Sequence, residues 1–326
     1  MDRPIVAVVM AGGTGTRLYP ASRGDRPKQF RSFGGDRSLL ARTADRVEFA
    51  DETVVLTRPA LADRIHEHAP GAEVLTEPAP KDTGPALLYA AGRLRERFAD
   101  PVLLCVPADH RIRGDFATPA RRAAAVAGRT GRLVTMGVEP TRPATGYGYL
   151  EPGADHGEFL DLARFHEKPD AGTAADYCDR GWYWNAGIFA WTPDALLRAA
   201  RDTPLDPLAD AIEAGDLEAG FEAVEPASID RAVMERAAHA AIVPAGFAWD
   251  DLGTWDAVGR LADGPLCDAL ELDAGGNVLA GDHHVTAIGV EDLVVAAYDD
   301  RVLVVPAERA QEVREAVERL DERGLF

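Results

Sequence analysis

The segment Ala11-Gly12-Gly13-Thr14-Gly15-Thr16-Arg17-Leu18 directly follows the short apolar run Ile5 to Met10, and Pro27-Lys28-Gln29-Phe30 comes soon after it. Glycines behind a buried strand remove the Cβ atoms that would keep backbone N–H groups away from a phosphate, and Arg17 and Lys28 can neutralise its charge. Gly12, Gly13, Gly15 and Thr16 are therefore candidate phosphate-loop residues, with Arg17 and Lys28 as the cations. The plain alternative is a Gly-rich turn whose basic residues face solvent. The spacing is not G-x-G-x-x-G, because Arg17 and Leu18 stand where the last glycine would be, and no G-K-[ST] follows. A dinucleotide dehydrogenase and a P-loop NTPase are thereby disfavoured.

A carboxylate follows a second apolar run, in Val106-Pro107-Ala108-Asp109-His110. An Asp at the C-terminal end of a parallel strand lies on the edge where open α/β sheets bind ligands, and it offers hard oxygens to Mg²⁺. Asp in that place is also a common turn former. His66 and His68 stand two apart on an expected helix and point to different faces, and His283-His284 sits in an acidic tail, so neither pair has metal geometry. No Ser–His–Asp or Cys–His set is present for nucleophilic catalysis.

These residues need a sheet to hold them. Apolar β-rich runs at 5–10, 53–57, 74–76, 102–106 and 133–138 alternate with helical patterns at 38–49, 61–69, 83–98 and 116–127. Such alternation predicts a mostly parallel sheet covered on both faces. From 146 to 191 the chain is richer in Gly and aromatics and predicts a mixed-sheet subregion. Helices are expected at 193–201, 207–214 and 228–238. After about 263 short β runs separated by Gly and Asp take over at 275–305, followed by an amphipathic helix at 309–323. The expected division is a catalytic domain over 1–263 and a small β-rich appendage with a terminal helix over 264–326.

Composition narrows the partners. A formal charge of -19 argues against nucleic-acid polymers and anionic membranes. No apolar run has the length of a membrane span, and the opening run is too short for a signal peptide. The three cysteines are widely spaced and lack any C-x-x-C pairing, so neither a disulfide framework nor a zinc site is indicated, and a reducing, cytoplasmic setting is expected. Only Lys28, Lys81 and Lys168 are lysines, against 32 arginines. That bias suits an acidic, salt-adapted surface, and it marks the lysines as places where a compact ammonium is needed.

Arg17-Leu18-Tyr19-Pro20, Ser22-Arg23 and Pro27-Lys28-Gln29-Phe30, together with the loop before them, resemble the mannose-1-phosphate guanylyltransferases among the sugar-nucleotide pyrophosphorylases. Tyr19 stands where that family usually has Trp. The resemblance runs from 5 to about 261, with further matches in the tail. It implies a Rossmann-like nucleotidyltransferase domain with a left-handed β-helical tail, and transfer of GMP from GTP to mannose 1-phosphate. Its first metal aspartate maps onto Asp109 and its second onto Asp251 in Ala248-Trp249-Asp250-Asp251-Leu252-Gly253, implying Mg²⁺ as cofactor. Its sugar-phosphate site maps onto Gly148 for backbone contact, Glu167 and Asn185 for sugar hydroxyls, and Lys168 for the phosphate. Of Trp182, Tyr183 and Trp184, at least two are read as core packing.

Glu77, in Glu77-Pro78-Ala79-Pro80-Lys81-Asp82, resembles the family's segment near the base. A carboxylate there can accept from both N1–H and the exocyclic amine of guanine, although Glu77 and Asp82 could instead cap and charge a helix N-terminus. In Ser228-Ile229-Asp230-Arg231 no catalytic role is assigned to Asp230. Arg17, Lys28, Asp109, Lys168 and Asp251 form the expected catalytic set. The alternatives are another sugar-1-phosphate nucleotidyltransferase, using glucose 1-phosphate or another base, and a non-catalytic sugar-nucleotide-sensing subunit. GTP and mannose 1-phosphate are the expected partners, with a homodimer left open and no nucleic acid or membrane.

The 54 acidic residues predict that stability rises with salt, because cations screen self-repulsion. The thermal midpoint should climb as KCl is raised toward molar concentration; a midpoint that falls steadily would refute a salt-adapted surface.

Overall fold

The computed structural model describes residues 3–13, 15–24, 26–262 and 264–326, so Thr14 of the Gly-rich loop and Asp263 at the expected domain boundary lie outside the described residues. The chain divides into two compact units. One comprises residues up to 12, 44–107 and 112–249; the other comprises 13–43, 108–111 and 250–326. Most of the Gly-rich segment and the short stretch around Asp109 thus share a unit with the C-terminal tail.

The first unit is built on a nine-stranded sheet ordered Glu73–Thr76, Glu52–Thr57, Ile5–Met10, Val102–Pro107, Tyr183–Trp191, Leu133–Val138, Ala240–Ala245, Leu160–Glu167 and Gly148–Asp155. The strands around Ile5–Met10 are parallel, as are Leu133–Val138 and Ala240–Ala245. Tyr183–Trp191 runs antiparallel between Val102–Pro107 and Leu133–Val138. Six strands therefore end on one edge, and Tyr183–Trp191 begins there. The continuous apolar runs are explained by burial on both faces: Val6 to Val9 and Val102 to Val106 are almost wholly enclosed. Helices Thr83–Arg97, Ala117–Thr130 and Pro193–Ala200 cover the sheet, contributing Leu87, Leu88, Leu94, Leu196 and Leu197 to the core. The mixed subregion is antiparallel, with Gly148 opposite Glu167 and Tyr149 opposite Trp184.

The strands of the α/β portion lie within a residue of their expected bounds. The helices differ more: that expected at 38–49 is Leu39–Arg46, and that expected at 309–323 is a 3-10 stretch at Ala307–Glu312 followed by the helix Val313–Asp321. The expected helix over 228–238 is Ile229–Ala232 followed by a 3-10 turn at Met234–Arg236. β-Branched Val233 leaves the helical region at φ -120°, because the chain must turn here to start Ala240–Ala245. A helix at Leu217–Ala223 was not expected. Lys81 holds its C-terminal end from outside, donating to the carbonyls of Phe221, Glu222 and Val224 at 2.8–2.9 Å.

In the second unit the tail coils in parallel rungs. Ala269–Leu272 pairs with Val285–Ile288, and Val278–Gly281 with Leu293–Tyr298, at the same sequence offset; Arg301–Pro306 then closes antiparallel. Constant offset between parallel strands is the pattern of a β-helix-like coil. Its core joins Val278, Ala280, Val294 and Ala296 to Leu18, Phe33, Leu252 and Trp255. The indole of Trp255 is fully enclosed and donates to the Tyr19 carbonyl at 2.8 Å. Tyr19 in turn packs on Val313 and Val317 of the terminal helix Val313–Asp321. Among the described residues no helix is long and apolar enough to cross a membrane.

Candidate active site

In the second unit the candidate residues gather around one ammonium. Gly15 adopts the left-handed conformation, φ 66°, and a Cβ there would lie 2.7 Å from the Lys28 side chain. Glycine is therefore needed both for the turn and for the lysine beside it. Lys28 opens the 3-10 turn Lys28–Phe30 and is buried. Its Nζ meets Asp109 Oδ2 at 2.9 Å and donates to the Asp251 and Leu252 carbonyls at 3.0 and 3.4 Å. The three donors of the ammonium are thus all engaged. Leu252 sits at φ 47°, a strained conformation that lets successive carbonyls face the same amine.

Burial works to raise the Asp109 carboxyl, but Lys28 and His110, with the Lys28 hydrogen bond, outweigh it and hold the group below the usual range. Asp250 and Asp251 have different surroundings. Asp250 is buried, accepts the Leu252 N–H at 2.9 Å and faces Arg260 at 3.3 Å, with burial and adjacent Asp251 raising its carboxyl. Asp251 Oδ1 accepts the Gly253 N–H at 2.9 Å. Arg17 is half-buried and reaches Gln311 at 3.4 Å; Thr16 opens the turn that carries Arg17, and Gly13 is exposed. Among the described residues no three His, Cys, Asp or Glu side chains cluster to hold a metal unaided. Two carboxylates do fit a cation of the Mg²⁺ type, which takes few protein oxygens and completes its shell with substrate phosphates and water.

In the first unit Glu77 follows the strand Glu73–Thr76 and is buried, 6% exposed. A Cβ on Gly12 would lie 3.1 Å from its Oε1, so the glycine at the end of Ile5–Met10 leaves room for this carboxylate. Its Oε2 is enclosed and has no hydrogen-bond partner. Burial pushes the Glu77 carboxyl up to about 7, against the opposing pull of Arg58 and the Lys81 backbone, with Asp82 adding to the rise. Asp82, by contrast, accepts the Thr83 N–H and caps Thr83–Arg97. The capping role therefore belongs to Asp82 alone.

A second cluster lies in the antiparallel part of the sheet. Lys168 takes φ 53°, so that its side chain turns back onto its neighbour Glu167, and the two form an ion pair. Gly148 pairs in register with Glu167. Asn185 is buried; its Nδ2 donates to Asp230 at 2.8 Å, and its Oδ1 accepts from Thr135 at 2.8 Å and from the Gly187 N–H at 3.1 Å. One amide hydrogen of Asn185 is left for a ligand. Burial and then Glu167 raise the Asp230 carboxyl to about 7, offset by Lys168 and Asn185. Tyr147 stands edge-on to Trp184 and Trp249 at 5.1 and 4.8 Å, forming an aromatic wall in this region. Trp182 and Trp184 are both buried.

Asp230 is the residue that sequence reading missed. The expected continuous helix over 228–238 is instead a four-residue helix capped by Ser228, and Asp230 on it meets Asn185. The available signal was Ser228 itself, an N-cap two residues before the carboxylate. The structure brings Gly13, Gly15, Thr16, Arg17, Lys28, Asp109 and Asp251 into one unit, and Gly12, Glu77, Gly148, Glu167, Lys168 and Asn185 into the other.

Comparison with known proteins matches residues 6–263 to the nucleotidyl transferase family and residues 268–320 to the MannoseP isomerase/GMP-like beta-helix domain. The chain is 35% identical to the xanthan biosynthesis protein XanB of Xanthomonas campestris pv. campestris, over 98% of this chain and 74% of XanB. It is 34% identical to mannose-1-phosphate guanylyltransferases of Sinorhizobium fredii and Escherichia coli, over 97% of this chain and 68% and 74% of theirs. The crystal structure of mannose-1-phosphate geranyltransferase from Thermus thermophilus superposes with a TM-score of 0.91 at 34% identity, covering 98% of this chain and 99% of that one.

The Glu77 carboxyl yields a pH prediction. Its folded value of about 7 lies above the ordinary 4.5, so between those values the folded state keeps a proton that the unfolded state has lost. Folding is favoured toward the acid side of that window, and stability is lost as pH rises through about 7. Glu77→Gln removes this penalty. Relative to wild type, the variant should gain about 1–3 kcal/mol between pH 5 and pH 8 by urea denaturation without ligands. A stability difference that does not change with pH would show that Glu77 titrates normally.

Proposed function

Because the chain belongs to the nucleotidyl transferase family, and within it to the mannose-1-phosphate guanylyltransferases, we propose that it transfers GMP from GTP to α-D-mannose 1-phosphate, giving GDP-mannose and pyrophosphate. The observation that carries the choice of base is Glu77, a buried carboxylate beside Gly12 with one oxygen lacking a partner. Guanine brings two donors, N1–H and the exocyclic amine, to such a group; adenine and thymine bring no such pair. Those donors favour the ionised carboxylate and compensate for its burial.

The sugar-phosphate oxygen attacks the α-phosphorus in line and pyrophosphate departs. The nucleophile is already an anion, so neither a general base nor an enzyme nucleophile is required. Arg17 and Lys28 meet the charge on the leaving pyrophosphate, with backbone N–H groups of Gly12, Gly13, Gly15 and Thr16 around the nucleotide phosphates. Lys168 aligns the attacking phosphate, while Glu167 and the remaining Asn185 amide hydrogen hold sugar hydroxyls and Gly148 offers backbone contact. Asp230 acts through Asn185 as a positioning residue. Asp109 and Asp251 would hold Mg²⁺, which when bound supplies electrostatic stabilisation to the reacting phosphates. In this reading residues 1–263 form the catalytic domain, 264–326 the appendage, and the enzyme works in the cytoplasm.

The test of substrate choice is a matrix of four nucleoside triphosphates against mannose and glucose 1-phosphates, read by pyrophosphate release. GTP with mannose 1-phosphate should give the highest kcat/KM, and a higher value for any other pair would overturn the assignment.

The metal assignment makes its own prediction. Asp109→Asn and Asp251→Asn should each remove most of kcat, and the double variant should be little worse than either single, because both serve one ion. Losses that simply add would separate the two residues. Asp250→Asn should instead lower stability by about 1–3 kcal/mol through the weakened Arg260 contact while sparing turnover.

A further inference from the structure

A cavity of about 560 Å³ in the first unit lies at the opposite edge of the sheet from Asn185, where Leu133–Val138 and Ala240–Ala245 begin. Its lining includes Arg132, Arg198, Arg201, Arg236 and His239, with Leu133 and several alanines, and contains no carboxylate. In a chain of net charge -19 this is a local concentration of arginines.

Part of the charge has an internal use. Arg201 pairs with Asp206, Asp210 and Glu213, and Arg132 pairs with Asp161 at 2.7 Å and donates to the Ala240 carbonyl at 3.3 Å. Arg198, in the last turn of Pro193–Ala200, complements that helix's end, which at an exposed position is worth only about 0.3–1 kcal/mol. Arg236 closes the three-residue 3-10 turn Met234–Arg236. Among the described residues neither Arg198 nor Arg236 meets a carboxylate.

We propose that this cavity is a second binding site, for a small metabolite carrying two phosphate groups, distinct from the substrate sites. Paired guanidinium forks match phosphate oxygens bidentately, and the volume suits a small metabolite. No Phe, Tyr or Trp lines the cavity. The site is linked to the sugar-phosphate residues by one short stretch of chain. Asp230 accepts from Asn185, Glu235 accepts the Glu167 N–H at 3.3 Å, and the next four residues, Arg236 to His239, line the cavity. The His239 carbonyl then accepts the Leu133 N–H at the start of the adjacent strand. A ligand that draws Arg236 inward therefore pulls on the segment carrying Glu235 and Asp230, and changes the affinity for the sugar phosphate. Binding at the cavity is independent of the proposed activity, whereas this coupling rests on it.

The test uses fructose 1,6-bisphosphate as probe and the full chain in calorimetric titration. Wild type should bind one equivalent; the double variant Arg198→Ala/Arg236→Ala should bind at least tenfold more weakly, and Lys168→Ala as well as wild type. Both arginines are exposed, so the double variant should keep its thermal midpoint, and Arg198→Lys/Arg236→Lys should recover part of the affinity. Absence of saturable binding at millimolar probe, binding that survives the double variant, or binding lost in Lys168→Ala would each overturn the site. Citrate binding as tightly as the bisphosphate would overturn its phosphate character. With the probe saturating, the KM for mannose 1-phosphate should change at least twofold in wild type and not in the double alanine variant. An unmoved KM alongside intact binding would overturn the coupling and leave the site standing.

Discussion

The buried ammonium of Lys28 is the contact on which the geometry of the second unit's candidate site depends. It ties together three stretches far apart in sequence: the Gly-rich segment, the residue Asp109, and the turn at Asp251 and Leu252. A buried charge is tolerated only when its hydrogen-bonding capacity is met, and here one carboxylate and two carbonyls meet it. Removing the amine would leave Asp109 as an uncompensated carboxylate and the strained Leu252 turn without the partner that justifies it. An arginine would not substitute, because its planar fork cannot address three acceptors arranged around a point. Lys81 follows the same rule at a purely structural place, with three carbonyls at the end of a helix. These two cases account for two of the three lysines in a chain that otherwise uses arginine.

The tail contributes to the same unit through packing. Trp255, four residues beyond Asp251, is enclosed among residues of the N-terminal segment and of the β-helix-like coil. The chain that carries Asp251 is thereby held at one end by Lys28 and at the other by this aromatic anchor. Tyr19 takes part in the neighbouring cluster with Val313 and Val317, so its side chain faces the terminal helix. The appendage is therefore part of the packing that sets the phosphate-loop segment.

Much of this was legible in the sequence because it rests on local rules. Continuous apolar runs marked the parallel strands, and Gly12 and Gly15 behind the first strand occupy positions where a Cβ would meet Glu77 and Lys28. What escaped was set by contacts distant in sequence. Nothing local reveals that Lys81 caps a helix some 140 residues away, or that Asp230 faces Asn185, because both depend on where the chain is brought by the sheet. The sharing of the tail's core with the N-terminal segment was hidden for the same reason, because that core includes Leu18 and Phe33. The cavity arginines are individually ordinary, and only the fold gathers them.

Asp109 is held below the usual carboxylate range while Glu77 and Asp230 are raised above it, and the difference follows from what each has as a partner. Asp109 has Lys28 and stays ionised in spite of its burial. Glu77 and Asp230 lack an equivalent cation at hydrogen-bond distance, and burial raises both to about 7. A carboxylate kept ionised is ready to hold a cation without reorganisation. A carboxylate poised near neutrality gains most from a ligand that brings its own donors, because those donors replace the missing partner and draw the group into its charged form. For Glu77 the donors are those of the base. For Asp230 the Asn185 amide already supplies one, and in the proposed reading a sugar hydroxyl beside Glu167 and Lys168 would supply another. In the proposed reading, ligands that bring donors to Glu77 and Asp230 would draw both carboxyls toward their charged forms and so release protons on binding.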